Sequence, residues 1–70
     1  MYEIRTNDRI IKSGSPRAVY YDLVEIIFNK DSKNVTEEIH NVCADAEGWC
    51  ELACVGDIYE HDEFVIEVID

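Results

Sequence analysis

The hydrophobic period of this chain changes twice, and the two switch points constrain what it can fold into. From Tyr2 to Thr6 apolar and polar residues alternate, and after Asn7-Asp8 a second short run extends from Arg9 to Ser13. A period of two marks a half-buried strand, because successive strand side chains point to opposite faces. Asn and Asp tolerate the positive φ of a tight turn, so the two runs read as a β-hairpin. At Gly14-Ser15-Pro16 the period becomes helical. Ser15 carries the side-chain oxygen of a good N-cap, and Pro16 fits the first helical position, where no N–H is needed. Val19, Leu23, Ile26 and Ile27 recur at helical spacing, with Tyr20 and Val24 beside them. The run Asn-Lys-Asp-Ser-Lys-Asn breaks the pattern and predicts a stop near Asn29 and Lys30.

A second helix is predicted after this break. Thr36 or Asn34 supplies its cap, and Glu37 and Glu38 in the first turn suit the positive end of the helix dipole. Ile39, Val42, Cys43, Ala46, Trp49, Cys50, Ala53 and Cys54 fall on one broad stripe. Gly48 is the weak point of this helix and could divide it in two, since glycine costs up to about 1 kcal/mol against alanine in a helix interior. Gly56 is the expected stop, and there the period returns to two. Ile58 to Glu60 is a short strand, His61-Asp62-Glu63 a turn, and Phe64, Ile66 and Val68 form the strongly apolar face of a last strand.

The predicted assembly is ββααββ, an α+β fold in two layers: an antiparallel β-sheet with both helices packed on one face. The 70 residues make one domain, residues 1–70, with no internal repeat or linker. A chain this short buries only about 60% of its unfolded surface. Its stability must come from close packing of few large residues, or from a partner that covers an exposed face.

Charge is the second constraint. Residues 1–33 hold all six Lys and Arg against five acids, a balance of +1. Residues 34–70 hold the other eleven acids with no Lys or Arg, a balance of −11. Such a surface disfavours direct contact with nucleic acid or an anionic membrane, both of which need basic groups. It suits solubility, and it suits a basic partner. No run approaches the ~18 apolar residues that would span a membrane. Three cysteines, an odd count, and an N-terminal stretch without an apolar core of signal length point to a reducing, cytoplasmic compartment.

Little in the sequence points to catalysis or a cofactor. His40, Cys43, Cys50 and Cys54 have the residue types of a zinc site, but on one straight helix they extend over about 21 Å. Ligands to one zinc ion lie about 2.0–2.3 Å from it, so no metal is expected and the cysteines read as small buried residues. A Cys43–His40 nucleophile lacks oxyanion donors and sits in an acidic region, which raises a thiol pKa. Glu60, Asp62 and Glu63 around His61 read as a solvated turn rather than a cation site. No enzyme activity and no cofactor are therefore expected. Tyr21 and Phe28 sit toward the back of the first helix; exposed together they would form a small anchor patch.

One constellation remains. In the second helix Glu38, Asp45, Glu47 and Glu51 lie outside the apolar stripe. Glu47 and Glu51 are one turn apart, about 6 Å along the axis, a scale similar to the 3.4 Å rise between phosphates of one DNA strand. With Asp57, Glu60, Asp62 and Glu63 they would form a negative surface that a nucleic-acid-binding groove accepts. In its size, in the compact acidic segment WCELACVGDIYEHDEF and in its lack of catalytic residues, the chain resembles small acidic phage-encoded inhibitors of host proteins. That class includes anti-CRISPR and anti-restriction proteins, some of them DNA mimics. It shares no common motif, so no residue role carries over. The resemblance implies a protein that blocks a basic nucleic-acid-binding protein, with the eight acids pairing to its Arg and Lys. The alternative is a small homo-oligomeric assembly subunit, such as a homodimer, built on a second apolar sheet face where Val65 and Ile69 join Ile11.

Overall fold

A computed structural model covers residues 1–70. Its elements are β1 (Tyr2–Arg5), β2 (Ile10–Ser13), α1 (Pro16–Asp22), α2 (Glu37–Leu52), β3 (Ile58–Glu60) and β4 (Val65–Val68). A π-helical turn, Leu23–Ile27, continues α1. The four strands form one antiparallel sheet in the order β2-β1-β4-β3, and the helices pack against it, as the period switches predict.

Register decides which side chains meet the helices. Ile11, Ile4, Ile66 and Tyr59 lie side by side across the sheet, as do Ser13, Tyr2 and Val68. These rows form the helix-facing side, where Ile4 and Ile66 are completely buried. Ile11 packs there too, against the core. It therefore does not join Val65 on the opposite side, contrary to the expected second apolar face. The alternation of β2 sets this, because Ile11 pairs with buried Ile4. The opposite side is mixed: Arg5 donates to Glu3 and Glu67 at 2.9 and 2.8 Å, with Ile10, Lys12, Ile58, Glu60 and Val65 around them.

The first helix starts as its sequence dictates. Ser15 Oγ accepts from the Ala18 N–H at 3.1 Å, and Pro16 opens the helix. Val19, Tyr20, Leu23 and Val24 are buried. Full burial of Leu23 contributes on the order of 1.5–3 kcal/mol. The π turn has no counterpart in the sequence pattern. Phe28 N–H bonds to Leu23 O at 2.9 Å and Lys30 N–H to Val24 O at 2.9 Å, and Asn29 ends the element at φ 53. The wide turn inserts an extra residue and rotates the later positions by about 100°. Ile26, expected in the core, lies within this turn at the edge of the buried face and is 38% exposed, while Ile27 still packs against the core.

In α2, Thr36 rather than Asn34 is the cap, accepting from Ile39 N–H at 3.3 Å. Gly48 does not divide the helix. Cys43, Ala46 and Cys50 are buried in the core, and the small Ala46 and Cys43 side chains let α2 lie close on α1. The helix ends at Leu52, sooner than expected, so Cys54 is exposed instead of extending the stripe. The chain then makes a turn in which Asp57 N–H bonds Cys54 O at 2.9 Å and Asp57 Oδ2 accepts from Cys54 N–H at 2.8 Å. Gly56, third in that turn, has φ 96, a conformation suited to glycine. Gly56 N–H to Val68 O at 2.8 Å fastens the turn to β4.

Candidate functional site

The eight predicted acids do not form one surface. Helical geometry separates those of α2 into two flanks. At 3.6 residues per turn, Glu38 and Asp45 lie within about 20° of each other around the axis, and Glu47 lies about 200° from Asp45. Hydrogen bonds show where each flank faces. Tyr59 of β3 donates its hydroxyl to Asp45 Oδ2 at 2.6 Å, and Arg17 of α1 donates to Glu47 Oε1 at 3.1 Å. One flank therefore borders the β3 edge and the other borders α1. Glu51 stands one turn beyond Glu47, on the α1 flank. The side chain of Asp57 is committed to the turn that ends α2. Glu38, Glu51, Glu60, Asp62 and Glu63 are exposed, and their carboxylates accept no hydrogen bond within the chain.

Compensation for residues 34–70 comes from the other half of the chain. Arg17 pairs with Glu47 and Arg5 with Glu67. Both partnerships cross long stretches of sequence, so inspection of local charge could not reveal them. Arg17 also lies over the rings of Tyr20 and Tyr21, 5.3 and 5.2 Å from their centroids. The Tyr21 and Phe28 patch does not form: Tyr21 is partly exposed, but Phe28 packs edge-on against the buried Phe64, ring centroids 6.3 Å apart.

Asp45 belongs to an aromatic wall. Trp49 and Tyr59 are 5.4 Å apart and Tyr59 stacks on Phe64 at 6.1 Å. Burial, together with the Asp45 carboxylate, pushes the Tyr59 hydroxyl up to about 12. His40 and Cys43 do not act on each other through a hydrogen bond: His40 Nδ1 instead pairs with Tyr20 Oη at 2.8 Å. Burial pushes the Cys43 and Cys50 thiols up to about 11, the latter with help from Glu47. Both are protonated at neutral pH and poor nucleophiles. No group of three His, Cys, Asp or Glu side chains is placed to hold a metal ion.

One feature had no signal in the sequence. A cleft of about 640 Å³ opens where the two hairpin turns approach the π turn. Arg5, Arg9, Ile26 and His61 line it with acidic Asp62 and Glu63. The π turn brings Ile26 and Ile27 to its wall. Both cations are already engaged, Arg5 by Glu3 and Glu67 and Arg9 by Asp8 at 4.0 Å. The His61 ring stacks on Phe64 at 4.7 Å and its Nδ1 accepts from Glu63 N–H.

No family model, curated protein or solved structure matches this chain. No helix is long and apolar enough to cross a membrane.

Proposed function

We propose that this is a small acidic interaction protein that occupies the basic nucleic-acid-binding surface of another protein, as an inhibitor of the anti-CRISPR or DNA-mimic kind. A single observation carries the reading: the exposed carboxylates of Glu38, Glu51, Glu60, Asp62 and Glu63 lack any internal partner. Their combined field steers a basic partner to the molecule, and the carboxylates on the flanks it meets pair with its Arg and Lys, excluding nucleic acid sterically. Asp45, Glu47 and Asp57 each accept a bond within the fold, so they add to the field more than to the pairing. Three free cysteines suit a cytoplasmic setting.

The test is capture of partners from a nuclease-treated bacterial lysate, released on a salt ramp. Each captured protein is then assayed for duplex DNA binding with and without the acidic protein. The reading expects a basic partner whose DNA binding is lost on titration with wild type but not with the Glu38→Lys/Glu51→Lys variant. Asp8→Lys/Glu25→Lys changes net charge equally and should still compete. Competition by both variants alike, or by none of the three proteins, would refute the site. The alternative of an assembly subunit is favoured by a different observation, the two unpaired sheet edges.

A further inference from the structure

We propose that copies of this chain associate head to tail through their sheet edges, with β2 of one copy adding to β3 of the next. The order β2-β1-β4-β3 leaves β2 and β3 as the two edges. Three successive antiparallel pairings make β2 and β3 run in opposite directions. A second copy displaced along the sheet, without turning over, therefore sets its β3 antiparallel beside β2. Its helices stay on the same side, and the sheet continues.

The free backbone groups on each edge are fixed by the ladder. Thr6 N–H bonds to Arg9 O and His61 N–H to Phe64 O, closing the two hairpins. Alternation along an antiparallel pair then turns the N–H and C=O of Ile10 and Lys12 outward from β2, and those of Ile58 and Glu60 outward from β3. Aligning both pairs places Ile10 opposite Glu60 and Lys12 opposite Ile58. Diagonal neighbours are then Lys12 with Glu60 and Ile10 with Ile58, within reach of long side chains. Ile10 is 64% exposed and Ile58 is 52% exposed, so both gain cover.

Charge selects this pairing over the symmetrical ones. The β2 edge carries Lys12, with Arg9 beside it paired to Asp8; the β3 edge carries Glu60, with Asp62 after it and Asp57 bonded into the turn before it. Joining β2 to β2 or β3 to β3 sets like charges together, which is a recognised way to block edge pairing. Only β2 with β3 is complementary. The contact is heterologous, so it propagates instead of stopping at a dimer. It occupies Glu60 but leaves the α2 acids Glu38 and Glu51 free.

Analytical ultracentrifugation of the purified protein alone, from micromolar to millimolar concentration, tests this independently of any basic partner. Weight-average mass should rise with concentration past that of a dimer. Lys12→Glu and Glu60→Lys should each lower the association constant about tenfold or more, since each puts like charges across the junction. An equimolar mixture of the two restores opposite charges at every junction and should recover association. Ile10→Pro, tolerated on an edge strand where the N–H points outward, should also stop growth while far-UV circular dichroism stays native. A wild type that remains monomeric at millimolar concentration, a mass that levels at a dimer, or a mixture no better than either variant would overturn the proposal.

Discussion

Three side chains show how single residues are tuned by their place in this fold. Cys43 and Cys50 face the core, and burial lifts each thiol from an ordinary 9.0 to about 11. Such a shift contributes stability that is complete below pH 9 and is lost as pH rises through 11, because the unfolded chain releases its thiol protons first. Tyr59, raised from 10.0 to about 12, extends the loss toward pH 12. Urea midpoints should therefore fall steadily above pH 9, and the Cys43→Ala/Cys50→Ala protein should show a flatter decline. A decline of equal slope would mean that the thiols are not the cause. The same burial predicts selective alkylation: in the native protein only Cys54 should react promptly, and all three cysteines should react after unfolding. Tyr59→Phe removes the hydroxyl that bonds Asp45; it should cost about 0.5–1.5 kcal/mol, measured by urea unfolding. An unchanged midpoint would show that water replaces this bond without loss.

At the scale of elements, the two helices end by different means. The π turn ends the first, with Asn29 in the left-handed region at φ 53. Asparagine tolerates that conformation and a β-branched residue does not. The second helix runs through Gly48 and hands over to the Gly56 turn. These glycines give opposite predictions for one substitution. An added Cβ at Gly48 meets nothing within 4 Å, so Gly48→Ala should stabilise by about 0.5–1 kcal/mol. Gly56→Ala also finds open space but must hold φ 96, and it should destabilise by about 1 kcal/mol or more. Thermal midpoints of the two variants should move in opposite directions. A stabilising Gly56→Ala would show that the turn does not hold that φ in solution.

At the scale of the molecule, repulsion among carboxylates competes with few ion pairs. Eleven acids of residues 34–70 meet only two cations from elsewhere, Arg17 at Glu47 and Arg5 at Glu67. Exposed pairs contribute about 0–1 kcal/mol each, whereas repulsion acts among all the uncompensated acids. Added sodium chloride should therefore raise the thermal midpoint at neutral pH; a fall on adding salt would show that the ion pairs dominate. Much of this architecture was legible in the sequence. The period switches at Gly14-Ser15-Pro16 and Gly56, the Ser15 and Thr36 caps and the alternation of Phe64, Ile66 and Val68 are local signals, and each acts within a few residues. They determined the element order, the two-layer fold and most of the core. Tertiary structure alone decided the rest. Ile26 stands 38% exposed within a π turn that the pattern did not signal, and Ile11 packs on the core because its register partner is Ile4. Asp45 and Glu47 stand on opposite flanks of α2 by helical period, but packing alone set which flank meets β3 and which meets α1. The physical reason is clearest for Ile11 and for the partners of Asp45 and Glu47. A side chain's neighbours across the fold are set by packing and register between segments distant in sequence, and local periodicity carries no information about that distance.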